Sequence, residues 1–549
     1  MKVADFFCGG GGFSEGFRQA GFKIVFAVDK WLPAVKTYQA NKPGANVIQD
    51  DIIRIANLPD EEFDTLIPDT EIIIGSPPCQ SFSHSNKSGN ADKSIGVMLI
   101  EAYLKIIARK KFKKGSILKY WILENVPAVE GYIKEEYTAA DFNLTGDFVL
   151  HTKGLNAGRY NAKYFGAPTN RERYLCGDFP QLQATHNDSN VVTLGRVLES
   201  LEKPLNCSTN EIEDINYPGL RLNYEDITDN DYIYEVAEFE WRTAKRLKQD
   251  RGYMGKMSFP ENLDKQARTV MATMTTSSRE AMILSYGINH YRLPTVRESA
   301  CMMSFPIDYW FCGKSIGIKH TLVGNAVPPK LSYAIAVAIA REEKLQIPNI
   351  YPKISHDYVE NFYNLNGKHF EIKKEKRRRI VSKFKYHVPY LIIDAYRVEL
   401  TNYNSNFEQK RFVWTAEIHY SQGKNKADKF TPMVTSSLIP TSYKVEVSNF
   451  LRSLRKYSYG ANGFQTIYCM TSEERKEQKL VGPYELLDKI KKFIVDILPK
   501  NIWNKPVPVF YSDRVLNIPM AIVLSYYVLK EFTENNLKSG GDDNGCSDA

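Results

Sequence analysis

The chain opens MKVADFFCGGGGFSEGFRQAGFKIVFAVDK (residues 1–30), and this stretch decides the fold. An apolar run, KVADFF, ends in CGGGG; FSEGFRQAG then has the spacing of a short helix, and KIVFAVD reads as a second strand closing on Asp29. A strand feeding a glycine loop and then a helix lets the backbone approach a ligand at the helix N-terminus, because glycine carries no Cβ. The pattern continues downstream. TEIIIGSPPCQ (70–80) is a third apolar strand ending on Pro-Pro, a helical stretch follows from about Gly96 to Arg109, and KYWILENVP (119–127) is a fourth strand. Strands alternating with helical segments predict a doubly wound, mostly parallel α/β sheet of the Rossmann-like kind, with ligands at the carboxyl ends of the strands.

The four glycines Gly9, Gly10, Gly11 and Gly12 lack the GxGxxG spacing of a dinucleotide site, and no lysine is placed as in a phosphate-binding P-loop. Asp29, at the end of the second strand, can accept hydrogen bonds from two ribose hydroxyls. The sum points to a nucleoside-bearing cofactor without a pyrophosphate, which fits S-adenosylmethionine; a purely structural glycine loop is the other reading. In GSPPCQSFS (75–83), Cys79 follows Pro77 and Pro78 and precedes Gln80, Ser81 and Ser83. That context argues for a fixed, exposed thiol, whose reactivity needs a nearby positive charge or helix end. A buried small hydrophobe is the alternative for any single cysteine. Glu124-Asn125-Val126 closes the next strand, which predicts a carboxylate across the mouth of the sheet from Cys79, within reach of one small ring. A solvated loop carboxylate is the bland counterpart.

The order of these motifs resembles the DNA cytosine-5 methyltransferases. The series is DFFCGGGGFSEGF (5–17), Asp29, Asp50-Asp51-Ile52, GSPPCQSFS (75–83), ENV (124–126), FGAPTNRERYLCG (165–177), YRLPTVRESACMMSFP (291–306) and VGNAVPPKLSYAIA (323–336), covering about residues 1–345. The resemblance implies methyl transfer from S-adenosylmethionine to carbon 5 of a cytosine in double-stranded DNA. Carbon 5 is a poor nucleophile and is activated by covalent addition at carbon 6. Cys79, supported by Pro78, is the implied nucleophile. Glu124 would hold ring nitrogen 3 and the amino group, Arg173 would contact the cytosine carbonyl, Arg171 would order the site and Asn125 would fix the Glu124 loop. A base inside a duplex cannot reach such a pocket, so the cytosine must be flipped out. For the cofactor, Phe7 would stack on adenine and the Gly9–Gly12 backbone would receive the methionine part. Asp29 would hold the ribose, Asp51 with Ile52 the adenine, and Asn325 the methionine end. Three positions depart from the family pattern: Asp29 replaces a usual Glu, Lys30 stands where an aromatic is common with Trp31 one residue late, and Thr169 replaces a usual Gln.

The rest of the chain is less specific. With 43% hydrophobic, 12% aromatic and 25% charged residues over 549 positions, wholesale disorder is excluded and several domains fit. The expected division is catalytic domain 1–180, target recognition domain 181–290, return of the catalytic domain 291–347, a basic α+β domain of unknown fold 348–535, and a disordered tail 536–549. Arg268, Arg279 and Lys256 are candidate base or phosphate contacts in the recognition region. Eight scattered cysteines form no CxxC pair, so no metal site and a reducing compartment are expected. MKVADFF predicts no signal peptide, and the apolar stretch 515–529, broken by Asn517 and Ser525, predicts a buried element rather than a membrane span. The expectation is a cytoplasmic, nucleoid-associated monomer acting on DNA, with a cognate restriction endonuclease sharing its target. Residues 351–549 hold 31 Lys+Arg against 22 Asp+Glu, and the remainder is nearly neutral, so all excess positive charge sits in the last third. Asp357 with Glu371 and Lys373 formally fits a loose nuclease pattern, leaving a bifunctional restriction-modification protein as the alternative function. A non-catalytic DNA-binding relative and an RNA methyltransferase are the further readings.

Overall fold

The computed structural model describes residues 1–78, 93–202, 204–205, 210–250, 256–356, 362–421, 428–512 and 514–537. Cys79, the residues that follow it to 92, and Asp357 lie outside the described residues. The chain divides into two compact units: residues 1–236 with 259–372, and residues 237–258 with 373–549.

The first unit is built on one seven-stranded sheet. Its strands are β1 (Lys2–Phe6), β2 (Lys23–Asp29), β3 (Asn46–Gln49), β4 (Ile72–Gly75), β5 (Tyr120–Asn125), β6 (Gly158–Asn161) and β7 (Glu172–Asp178). The spatial order is β3-β2-β1-β4-β5-β7-β6. The first five run parallel, while β7 is antiparallel to both β5 and β6. This is the doubly wound, mostly parallel α/β sheet expected from the alternation of strands and helices. Ile72, Ile73, Ile74, Trp121, Ile122 and Leu123 are all buried, which is why β4 and β5 read as unbroken apolar runs: both faces of a parallel sheet are covered. From β1 the chain moves outward to β2 and β3, then returns to the other side of β1 as β4. The strand order therefore reverses between β1 and β4, which opens a crevice at their carboxyl ends.

Helices α1 (Gly12–Gln19) and α2 (Ser94–Lys111) cover the sheet, and α3 (Ile316–Asn325) and α4 (Pro329–Glu342) come from the far end of the unit's sequence. The proline pair starts α4 as its composition predicts, with Pro329 at the first helical position. The stretch Ile316–Glu342 is apolar and long enough to cross a membrane by composition; 72% of its most apolar window is buried inside the fold.

The second unit contains an antiparallel sheet of β8 (Lys385–His387), β9 (Tyr396–Thr401), β10 (Thr415–Tyr420) and β11 (Asp428–Phe430), in that order. One face carries Val398, Leu400, Ala416 and Ile418 into a core shared with the long helix α5 (Met520–Asn536). The apolar stretch 515–529 is thus a strand end followed by a buried helix.

The units cut across the boundaries expected from sequence at two places. Helix Glu238–Gln249, inside the stretch 181–290, packs in the second unit: Arg246 lies over the Tyr484 ring at 4.4 Å and pairs with Asp488 at 3.2 Å. Asp250 at its end accepts from the Tyr390 amide (2.9 Å) and the Tyr386 hydroxyl. Residues 351–356 and 362–372, in contrast, strap onto the first unit. The Tyr351 hydroxyl bonds Asp308, His356 stacks on Trp310 at 3.9 Å, and Asn364 and Asn366 accept from the backbone of Asp229, Asn230 and Asp231. Counted by unit, the second holds 35 Lys+Arg against 22 Asp+Glu, a net +13, and the first is net −5.

Candidate active site

A cavity of about 550 Å³ sits in the crevice at the carboxyl ends of β1, β2, β4 and β5. Phe7, Gly9, Gly10 and Gly12 line it from the loop after β1, and Asp29 and Trp31 from the end of β2. Asp51 and Ile52 follow β3, Ser76 and Pro78 follow β4, Glu124 and Asn125 close β5, and Arg173 comes from β7. Asn325, the last residue of α3, completes the wall.

The glycine loop is shaped by backbone strain and by hydrogen bonds beneath it. Phe7 has φ 54°, a left-handed conformation that a bulky residue adopts at a cost of about 1–3 kcal/mol. The turn is held by the Cys8 amide donating to Val28 O (3.1 Å) and the Gly9 amide donating to an Asp29 carboxylate oxygen (2.9 Å). Gly11, at φ 78°, caps α1 and faces away from the cavity; a Cβ there would stand 2.4 Å from the Tyr309 hydroxyl. That hydroxyl donates to Gly10 O (2.7 Å) and Lys42 Nζ donates to Gly11 O (3.3 Å). Of the four glycines grouped by sequence, Gly9, Gly10 and Gly12 therefore meet the cavity, while Gly11 makes the turn behind it.

The two aspartates differ in environment. Asp29 also accepts from the Trp31 amide (2.8 Å), and its burial pushes the carboxyl pKa up. Asp51 caps the next helix by accepting from the Ile53 amide (2.9 Å), and Lys30 Nζ at 2.8 Å pulls its pKa down. The departures at positions 30 and 31 thus resolve structurally: Lys30 pairs with Asp51, and Trp31 supplies the cavity wall.

At the opposite side Glu124 is almost fully buried, with both carboxylate oxygens engaged. Ser76 Oγ donates to Oε2 (2.5 Å) and Arg173 Nε lies 2.9 Å from Oε1. The antiparallel register of β7 on β5, Leu175 opposite Glu124, brings Arg173 to this place. Asn125 donates from Nδ2 to Pro77 O (3.1 Å) and accepts from the Val126 amide (2.8 Å), bracing the β5 end against the Pro-Pro loop. A carboxylate gripped by a hydroxyl and a guanidinium offers a rigid, polar edge to a planar ring. Sequence reasoning passed over Ser76; its place immediately after an apolar strand was the signal that could have found it.

Arg171 does not line the cavity. It is 2% exposed and donates to three backbone carbonyls: Val270 O (3.1 Å), Gly324 O (2.8 Å) and Ala326 O (3.1 Å). It thereby ties the arginine segment to 267–270 and to the segment that carries Asn325. Thr169, which departs from the family pattern, donates to Arg268 O (3.1 Å) while Ala267–Arg268 pairs in parallel with Thr169–Asn170. Among the recognition candidates, Arg268 is bound to Glu261 at 2.8 Å, Lys256 is exposed and Arg279 is half-buried. In the second unit Lys373 pairs with Glu240 at 3.0 Å; Glu371, in the first, is exposed, and Asp357 lies outside the described residues.

A doubly wound sheet with a nucleoside-sized crevice at its switch point defines a broad class of α/β enzymes. The family model for C-5 cytosine-specific DNA methylases matches residues 1–341, and the chain belongs to this family, the DNA cytosine-5 methyltransferases. Similar proteins include the putative type II methyltransferase M.MJ0563P of Methanocaldococcus jannaschii, 30% identical over 62% of this chain and 100% of the relative. The type II methyltransferase M1.HphI of Haemophilus parahaemolyticus is 29% identical over 62% of this chain and 87% of its own. Among solved structures, a putative DNA modification methyltransferase encoded within a prophage (E. coli) is 21% identical. It covers 63% of this chain and 99% of its own, with a TM-score of 0.42.

Proposed function

We propose that the chain transfers a methyl group from S-adenosylmethionine to carbon 5 of a flipped-out cytosine in a specific double-stranded DNA sequence, through a covalent Cys79 adduct. The observation that carries this reading is that one cavity joins both halves of the chemistry. The glycine loop, Asp29, Asp51 and Asn325 line it together with Pro78, Glu124, Asn125 and Arg173. Its volume of about 550 Å³ falls within the roughly 300–1,000 Å³ of small-molecule sites.

The donor set fits the cofactor. Asp29 closes β2 and Asp51 follows the adjacent β3, where carboxylates suit ribose hydroxyls and an adenine amino group, and Phe7, Trp31 and Ile52 give apolar surface for the ring. Loop backbone and Asn325 suit the methionine end. S-adenosylmethionine supplies an electrophilic methyl group on sulfur. Cys79, following the rigid Pro77-Pro78 turn, adds its thiolate to carbon 6 of cytosine, which makes carbon 5 an enamine nucleophile. Glu124 holds ring nitrogen 3 in its protonated form as charge develops there, and Arg173 both fixes Glu124 and contacts the cytosine carbonyl. Asn125 keeps Glu124 and the Pro77 loop in register. Once the methyl group is in place, loss of the carbon 5 proton expels Cys79 and restores the aromatic ring.

Residues 181–236 and 259–290 form the reading surface for the target, and the net +13 of the second unit supports a polyanionic partner. The protein works as a monomer, paired in function with a restriction endonuclease of the same target. Expression in a methylation-free host followed by whole-genome bisulfite sequencing tests activity and target together. A recurrent methylated motif is expected; a genome without 5-methylcytosine despite abundant folded protein would refute the reading. Cys79→Ser should abolish transfer and leave cofactor binding intact.

A further inference from the structure

The second unit holds a charged cluster that methyl transfer does not use. Alternation along β9 and β10 sends Val398, Leu400, Ala416 and Ile418 to the apolar face, so Arg397, Glu399, Glu417 and His419 all project from the other. In the antiparallel register Glu399 lies opposite Glu417 and Arg397 opposite His419. The cluster is buried: Glu399 is 4% exposed, Glu417 8% and His419 0%.

One imidazole nitrogen faces two carboxylates. His419 Nε2 lies 2.8 Å from Glu417 Oε2 and 3.1 Å from Glu399 Oε2. A single ring nitrogen carries at most one proton, so it serves one oxygen only. Glu417 accepts that hydrogen bond, and Glu399 Oε2 is left buried without one. Lys385 Nζ stands 3.2 Å from the same oxygen but is not aligned to hydrogen-bond it, and Arg397 Nε at 2.6 Å is bound to the other oxygen, Oε1. Lys429 approaches Glu417 only to 3.8 Å. The second ring nitrogen, Nδ1, is buried and unpartnered whichever nitrogen carries the proton, so it does not discriminate.

Three lone-pair donors, one nitrogen and two oxygens, thus converge within 4.8 Å of one another. Donors held at about 2.0–2.2 Å from one zinc-sized ion stand roughly 3–4 Å apart, so these atoms need little movement to share a cation. We propose that Glu399, Glu417 and His419 bind one first-row divalent metal ion, a mixed nitrogen and oxygen set that suits Zn²⁺ rather than Mg²⁺. A dication satisfies all three donors at once, where one proton cannot. Lys385 and Lys429, with side chains 31% and 53% exposed, reach the cluster from its rim and can turn outward to admit the ion. The bound metal clamps β9 to β10, the central strands of the unit's sheet.

The test uses the full chain, stripped with EDTA and titrated with Zn²⁺ and with Co²⁺ as a spectroscopic probe. The wild type should take up one equivalent with nitrogen and oxygen ligation, and Zn²⁺ should raise the unfolding temperature. Glu399→Gln, Glu417→Gln and His419→Asn should each weaken binding by more than the roughly 10–100-fold typical of losing an outer-shell partner. Unchanged affinity in the folded variants, no stoichiometric uptake by the wild type, or a thiolate-to-cobalt absorption band from a cysteine site would each overturn the proposal. Should a variant fail to fold, the Co²⁺-loaded wild type still decides, because a hyperfine-shifted imidazole proton must be present and its absence refutes His419 as a ligand.

Discussion

Replacing Arg171 with alanine should cripple the first unit although Arg171 itself does not line the cavity. The guanidinium is 2% exposed and makes three hydrogen bonds to backbone carbonyls, Val270 O at 3.1 Å, Gly324 O at 2.8 Å and Ala326 O at 3.1 Å. A hydrogen bond from a charged donor contributes about 1.5–3 kcal/mol, giving a gross range of roughly 5–9 kcal/mol for three. Bonds that share one donor are not additive, and water entering the vacated space would satisfy part of the loss, so about 3–5 kcal/mol is the expected net. That is a large share of the roughly 5–15 kcal/mol by which domains are stable. Two of the three carbonyls flank Asn325, so cofactor affinity should fall together with stability. Urea unfolding followed by a first-unit tryptophan, with calorimetric titration of S-adenosylmethionine, measures both. Arg171→Lys should recover only part, because one ammonium cannot span three carbonyls in the planar fork of a guanidinium. If Arg171→Ala unfolds within 1 kcal/mol of wild type and binds cofactor normally, the three-way tie is not what positions Asn325.

Gly12→Ala places a Cβ 2.3 Å from Val327 O and 2.9 Å from the Phe305 ring, so about 1–3 kcal/mol of stability and at least tenfold in cofactor affinity should be lost; unaltered titration curves would contradict the tight packing of the loop. Glu124→Gln keeps the shape but removes the charge paired with Arg173, and single-turnover methyl transfer should slow by about 10²–10⁴-fold with cofactor binding unchanged, whereas a wild-type rate would remove Glu124 from the acid–base role. His320 is fully buried with both ring nitrogens unpartnered, and burial pushes its pKa down to about 4. Because the folded pKa lies below the unfolded value of about 6.5, its contribution is fully present above pH 6.5 and is lost as pH falls toward 4, amounting to about 2 kcal/mol at pH 5. Wild type minus His320→Leu, measured by urea unfolding between pH 7 and 5, isolates this loss from the buried Asp5, whose raised pKa of about 7 acts in the opposite direction; equal slopes for the two proteins would disprove it.

What the sequence makes legible is whatever a short window of chain determines. The apolar runs of β1, β2, β4 and β5, the glycine loop and the placement of Asp29 and Glu124 at strand ends all follow from local pattern, and the cavity forms where those ends meet. What stays hidden depends on partners far along the chain. Arg171 reaches carbonyls about 100 and 153–155 residues away. Glu399, Glu417 and His419 meet only through the register of two strands that individually read as half-polar. Helix Glu238–Gln249 belongs to the second unit through contacts with residues near 390 and 484–488, which no local stretch of sequence reveals.

That last displacement alters the reading of charge. By sequence position the excess is a feature of the last third, and the catalytic part is nearly neutral. By structural unit the contrast widens to +13 against −5, because the segment 237–258 brings six basic residues and three acidic ones with it while 351–372 stays behind. A unit so positive suits a polyanion, and a −5 unit acting on DNA would gain from being tethered to it, since a tether raises the local concentration of duplex. That predicts general affinity in the basic unit and the chemistry in the first. The division has a measurable sign: neutralising basic residues of the second unit should flatten the salt dependence of DNA binding and leave single-turnover methyl transfer at saturating DNA unchanged.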